Sequence, residues 1–155
     1  YLADVARIEM AWMEAYHAAD RPTLGPAALA ALPPESLGDV RLEPHPSARI
    51  IRSDYPIVTI WTMNRSGEVA PVDMTIAEAA LVTRPAMDVQ VRRLPSGGAV
   101  FLDALCSGET LGEAAEKAAA ESAEFDLAGN ISGFLQAGVF SRTMTEAETR
   151  TQRES

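Results

Sequence analysis

An internal disulfide is excluded, because the chain holds a single cysteine, Cys106. That residue falls beside Leu105 at the end of an expected helix, where a thiol packs as a small, inert, buried hydrophobe. Histidine is scarce as well, with only His17 and His45. Positive charge is in short supply: 13 basic residues face 22 acidic ones, for a net charge of −9. Such a balance argues against a nucleic-acid or anionic-membrane partner unless the few cations cluster. Lysine is nearly missing, since Lys117 stands alone beside 12 arginines. No run approaches the roughly 18 to 20 apolar residues that cross a bilayer. No basic-then-apolar leader opens the chain either, and with one cysteine the reading is a cytoplasmic protein. A Gly-rich phosphate loop, a Gly-x-Ser-x-Gly elbow and a Cys-x-x-Cys pair are all lacking; Gly97-Gly98 is a lone doublet. These gaps point away from an enzyme.

What is present is enough for a core. Of 155 residues 47% are apolar and 23% charged, which suits one domain, or one domain with a helical attachment. The chain begins at Tyr1 inside an evident helix and without methionine, so it reads as a fragment of something longer. Residues 2 to 19 carry the strongest helical signal: Leu2, Val5, Ile8, Trp12 and Tyr16 recur at three- and four-residue steps. Met10 and Met13 form a second apolar flank, implying cover on more than one side. Pro26 opens a short second helix that Pro33-Pro34 closes. Residues 40 to 53 favour extended chain, Pro44 and Pro46 marking an edge or linker and Ile50-Ile51 a short buried strand. Residues 55 to 65 suit a strand by composition, yet Pro56 in a first turn and the common face of Ile57, Ile60 and Trp61 favour a helix. The stretch from 141 to 155 lacks apolar periodicity and reads as a fraying tail.

Residues 78 to 140 organise the rest. Ala80-Leu81-Val82-Thr83-Arg84 and the run from Val89 to Leu94 are β-rich, joined by Pro85-Ala86-Met87-Asp88. Three helices follow. The first carries Val100, Phe101, Leu102 and Leu105 and stops at Gly108; the second opens with the capping pair Thr110 and Glu113. The third has Asp126 as cap, Leu127, Ile131, Phe134 and Leu135 on one face, and Gly138 as a left-handed stop that folds Val139 back onto Phe134. The expectation is an α+β fold: N-terminal helices, a small antiparallel sheet, then three helices in a winged-helix-like arrangement. It divides into a helical segment (1–40), a winged-helix-like domain (41–140) and a flexible tail (141–155).

Candidate chemistry is thin. Glu14 and His17 have the Glu-x-x-His spacing of di-iron bundles, but such sites need the motif twice and further glutamates. His45, between prolines, reads as packing. DNA binding by a helix-turn-helix is the natural alternative for the second and third helices. Charge opposes it: residues 97 to 140 hold seven acids and one base, Lys117, a local balance of −6. The arginines lie elsewhere, at Arg84, Arg92 and Arg93 on the hairpin and Arg49 and Arg52 before it. Along the second strand Val89, Val91 and Arg93 share one face. A short sheet has open edges, and arginines there either receive an acidic peptide as an added strand or merely blunt the edge against aggregation.

Two blocks near the start, Leu2-Ala3-Asp4-Val5-Ala6-Arg7-Ile8-Glu9 and Glu14-Ala15-Tyr16-His17-Ala18-Ala19-Asp20, resemble the middle of the HvfC/BufC family. So do His45-Pro46-Ser47-Ala48-Arg49 and Tyr55-Pro56-Ile57-Val58-Thr59-Ile60-Trp61. Members have been labelled DNA-binding, and the family's N-terminal helical domain would precede Tyr1. The resemblance implies a non-catalytic partner of a multinuclear non-haem iron enzyme that modifies ribosomally made (RiPP) peptides, with the iron in the enzyme and no cofactor in this chain. The C-terminal part is similar to a PqqD-type recognition element (RRE-like). Carried over, that similarity implies that a precursor's leader peptide adds as a strand along Val89, Val91 and Arg93, against Ile131, Phe134 and Leu135. Trp12, Met13 and Tyr16 would contact the enzyme or a missing domain, or serve as core.

Overall fold

The computed structural model describes residues 1–155, the side chain of Gln152 excepted. Its helices are α1 (Leu2–His17), α2 (Pro26–Ala30), α3 (Ile57–Ser66), α4 (Gly98–Cys106), α5 (Leu111–Glu121), α6 (Leu127–Ala137) and α7 (Glu146–Arg153). The strands are β1 (Arg41–Pro44), β2 (Arg49–Ser53), β3 (Glu78–Thr83), β4 (Gln90–Arg93) and β5 (Phe140–Met144), with 3-10 turns at Pro34–Asp39 and Pro85–Met87. The fold is α+β. Its contacts gather into two compact units, Tyr1–Ala19 with Ser47–Leu94 and Asp20–Pro46 with Pro95–Ser155. The boundaries therefore fall elsewhere than at residues 40 and 140, because β1 and β2, adjacent in the chain, join different sheets.

The first unit is an antiparallel sheet in the order β2-β3-β4, with α1 and α3 packed on it. Arg49 pairs with Val82 and Ile51 with Ala80 across β2 and β3, and Val82 pairs with Val91 across β3 and β4. One face of the sheet meets the helices through Ile51, Ala80 and Val82 against Ile8, Ala11, Ala15, Ile57 and Val58, all buried. Of the series Leu2 to Tyr16, α1 buries Ile8 and packs Val5 against the core, and Ala11 and Ala15 complete the buried stripe. Leu2 is 71% exposed and Tyr16 54%. Two alanines let the helix axis come close to the sheet, which turns the larger side chains outward.

In the second unit, β1 and β5 form a two-stranded antiparallel ribbon with a bulge at Glu43/Pro44. Helix α4 packs against α5 and β1, and α5 against the 3-10 turn. Gly112 permits that last approach, since a Cβ there would lie 3.0 Å from the Gly38 carbonyl oxygen. The capping box of Thr110 and Glu113 opens α5, and Asp126 accepts from the Gly129 N–H to open α6. Gly138, at φ +68°, ends α6, and the Val139 N–H returns to the Phe134 carbonyl. A Cβ would strain that left-handed turn.

The stretch expected to fray, 141–155, is instead β5 and α7. A capping box of Thr145 and Glu148 starts α7, and Arg142 joins Glu43 (2.6 Å) to Glu148 (2.8 Å). The pairing partner of β5 lies about a hundred residues earlier in the chain, as Arg142 opposite Glu43 shows. Among the described residues no helix is long and apolar enough to cross a membrane.

Candidate functional site

Strand β4 is an edge of the three-stranded sheet. Which backbone groups it turns outward follows from the ladder. The Leu94 N–H donates to the Ala79 carbonyl (2.8 Å), in register with Ala80 opposite Arg93. Hydrogen-bonded and non-hydrogen-bonded pairs alternate in an antiparallel ladder. Residues 90, 92 and 94 therefore bond inward to β3, and Val91 and Arg93 direct their N–H and C=O groups to the open side.

The side chains of this edge have different tasks. Val89 and Val91 are half-buried and pack against the apolar core under α1 and α3. Arg93 is exposed and meets Glu78 at 3.3 Å. Glu78 holds this corner together. Helix α3 begins after Pro56, which has no side chain able to cap it. Glu78 reaches in from β3: Oε2 accepts from the N–H groups of Val58 (2.9 Å) and Thr59 (3.0 Å), and Oε1 from the Thr59 hydroxyl (2.7 Å). A carboxylate here satisfies orphan donors and meets the positive end of the helix dipole. Arg92, also exposed, lays Nε and Nη2 on the Gln90 side-chain oxygen, at 3.2 and 2.7 Å.

Two of the other arginines expected near this sheet, Arg84 and Arg49, are engaged with α1. Arg84 is buried and donates to the carbonyls of Tyr16 (2.5 Å) and Ala18 (2.7 Å), where a cation suits a helix C-terminus. Arg49 donates from Nε to Glu14 (2.8 Å). At the hairpin tip Ala86 and Met87 both have positive φ, +49° and +68°, and the Asp88 N–H closes the turn on Pro85. Such a turn suits the twist of paired strands, but glycine or asparagine usually fills it.

Helix α1 presents Trp12 stacked on Tyr16, centroids 5.7 Å apart and planes 7° from parallel. The Arg65 guanidinium lies 6.0 Å from the Trp12 ring and 4.9 Å from Trp61, and Trp61 Nε1 donates to Glu9 at 2.6 Å. Met13 and Tyr16 are exposed and Trp12 is partly so. Ile131, Phe134 and Leu135 belong to the second unit. There Phe134 is buried between Phe101 (5.9 Å, stacked) and Phe140 (6.4 Å, edge-on), and Leu135 is buried too, leaving Ile131 half-exposed. The geometry places Val91 and Arg93 on β4, with Val89 just before it; the other three share a helix of the other unit.

Among the described residues no group of three or more His, Cys, Asp or Glu side chains is placed to hold a metal ion. His17 sets its ring edge-on to Tyr16 at 5.0 Å, and His45 is buried, with Nε2 donating to the Arg21 carbonyl at 3.0 Å. Cys106 keeps surface in contact with solvent, contrary to the buried residue expected. Its thiol is nonetheless pushed up to about 12, by desolvation first and the Asp103 carboxylate second, and is a poor nucleophile. No pattern in the sequence marked the roles of Glu78 and Arg84, because each finds its partners beyond any local window. No family model, curated protein or solved structure matches the chain.

Proposed function

We propose that this chain is a non-catalytic adaptor of ribosomal-peptide modification. It binds a precursor's leader peptide by strand addition along β4 and presents it to a multinuclear non-haem iron enzyme. The observation that carries this reading is the open edge of β4, where the backbone of Val91 and Arg93 faces outward beside two exposed arginines. Strand addition supplies main-chain hydrogen bonds, and the side chains of the edge supply selectivity. The resemblance to the HvfC/BufC family supplies the class of partner, and with it the cytoplasm as the place of action. Trp12, Met13 and Tyr16 on α1 are the surface assigned to the enzyme, and the iron and the oxidative chemistry belong to that enzyme.

Charge supports a peptide over a duplex. The first unit holds seven basic and eight acidic residues, the second six and fourteen, so the unit that contains the helix-turn-helix candidates carries nearly all of the negative excess. The test is co-purification with the products of neighbouring genes, followed by titration with any short peptide encoded nearby. Arg93→Glu weakens that binding at least tenfold, whereas Arg150→Glu in α7 leaves it unchanged. Equal effects from the two, or salt-sensitive binding of a duplex instead, would sink the reading.

A further inference from the structure

Two groups fix what kind of strand the β4 edge accepts. On the face toward α1 and α3, Val89 and Val91 are half-buried against the core, so a neighbouring strand finds apolar surface at these two positions. Two residues beyond Val91 on the same face, Arg93 is 57% exposed and anchored by one guanidinium nitrogen to Glu78. The Glu78 oxygens already receive the α3 N–H groups and the Thr59 hydroxyl, and its side chain is 1% exposed. The anchor orients Arg93 without occupying the rest of its fork, which projects to solvent at the open edge. A second copy of this chain is a poor occupant, because Val89 to Leu94 contains two arginines and no carboxylate to set against them.

We infer that the strand completing this sheet is acidic, with a carboxylate directly opposite Arg93 and apolar side chains opposite Val91 and Val89. The inference rests on the peptide-binding reading of β4 and adds a register to it. Antiparallel addition, the sense of every other pair in the sheet, makes the motif acid-x-apolar-x-apolar in the direction of the incoming chain. The residues opposite Val91 and Arg93 form the hydrogen-bonded pairs, and the carboxylate meets the free part of the guanidinium fork.

The probe is a fluorescently labelled peptide, Thr-Glu-Thr-Val-Thr-Val-Thr, compared with the same peptide carrying Gln in place of Glu. Anisotropy gives affinity, and amide hydrogen exchange of the full chain reports on Val91 and Arg93. The Glu peptide binds about three- to tenfold more tightly and protects both amides, the advantage being held to that range by solvent screening at a half-exposed arginine. The preference vanishes in Arg93→Gln and persists in Arg150→Gln. Amide protection with equal affinity for the two peptides overturns the acidic register and leaves strand addition standing. No protection by either peptide overturns both. If Arg93→Gln keeps the preference, and the variant merely self-associates, the arginine guards the edge and the inference falls.

Discussion

Glu78→Gln is the sharpest perturbation this structure offers. The carboxylate is buried, caps α3 from a distance and braces Arg93. Glutamine keeps the shape but replaces one acceptor oxygen with a donor and removes the charge. Hydrogen bonds to an ionised acceptor are each worth about 1.5–3 kcal/mol, against about 0.5–1.5 for neutral ones. Weakening the bonds to the Val58 and Thr59 N–H groups, and losing Arg93, amounts to roughly 2–3 kcal/mol. Glu78→Ala, which strands those donors without a partner, costs more, roughly 3–5 kcal/mol. In a chain of 155 residues 1 kcal/mol moves Tm by about 2–4 °C, so glutamine lowers it by roughly 5–10 °C. Both tryptophans, Trp12 and Trp61, lie in the unit that contains Glu78, so urea titration followed by tryptophan fluorescence reads that unit directly. Arg93→Gln is the control: its exposed ion pair contributes less than about 1 kcal/mol. A Glu78→Gln loss no larger than that of Arg93→Gln would refute the view that this carboxylate holds the corner.

Three further outcomes are expected. Met87→Gly relieves a left-handed strain of about 1–2 kcal/mol and adds unfolded-chain entropy of about 0.5–1, so it stabilises the hairpin by up to roughly 1 kcal/mol; Met87→Val destabilises it, and the same fluorescence titration reads both. Glu148 is held down to about 2 from an ordinary 4.5, chiefly by the Thr145 N–H and then by Arg142. Because its folded value is depressed, its contribution is complete above about pH 4.5 and disappears as pH falls through about 2. Carboxyl chemical shifts should follow that titration, and Glu148→Gln should remove it. Cys106, with its thiol pushed up to about 12, should react with a disulfide reagent at pH 8 more than a hundredfold more slowly than in the urea-unfolded chain.

Much of the helical architecture was readable locally. The capping pair Thr110 and Glu113, the cap at Asp126 and the turn at Gly138 are each decided by residues within one turn of one another. The helix favoured for residues 55 to 65 is α3, 57 to 66, although its cap, Glu78, lies beyond the reach of any local pattern. The buried stripe of α1 was misread for a related reason. Periodicity identifies an apolar face but does not say whether large side chains or small ones turn inward, and here Ala11 and Ala15 join Ile8 while Leu2 and Tyr16 stay exposed. Of the candidate site, β4 and its arginines were legible from alternation. Its outward backbone groups were not, since they depend on which residues of β3 it bonds.

The amino-acid order by itself determined the helices from α1 to α6, the hairpin and the concentration of negative charge between residues 97 and 140, because propensity, capping and charge act over a few residues. Tertiary structure alone decided that β1 pairs with β5 rather than with its neighbour β2, and that Arg84 clamps α1 while Arg93 stays at an open edge. Those outcomes depend on contacts between residues far apart in the chain, whose pairing is selected by the joint burial of apolar faces and satisfaction of buried polar groups, and no short window of sequence contains that competition.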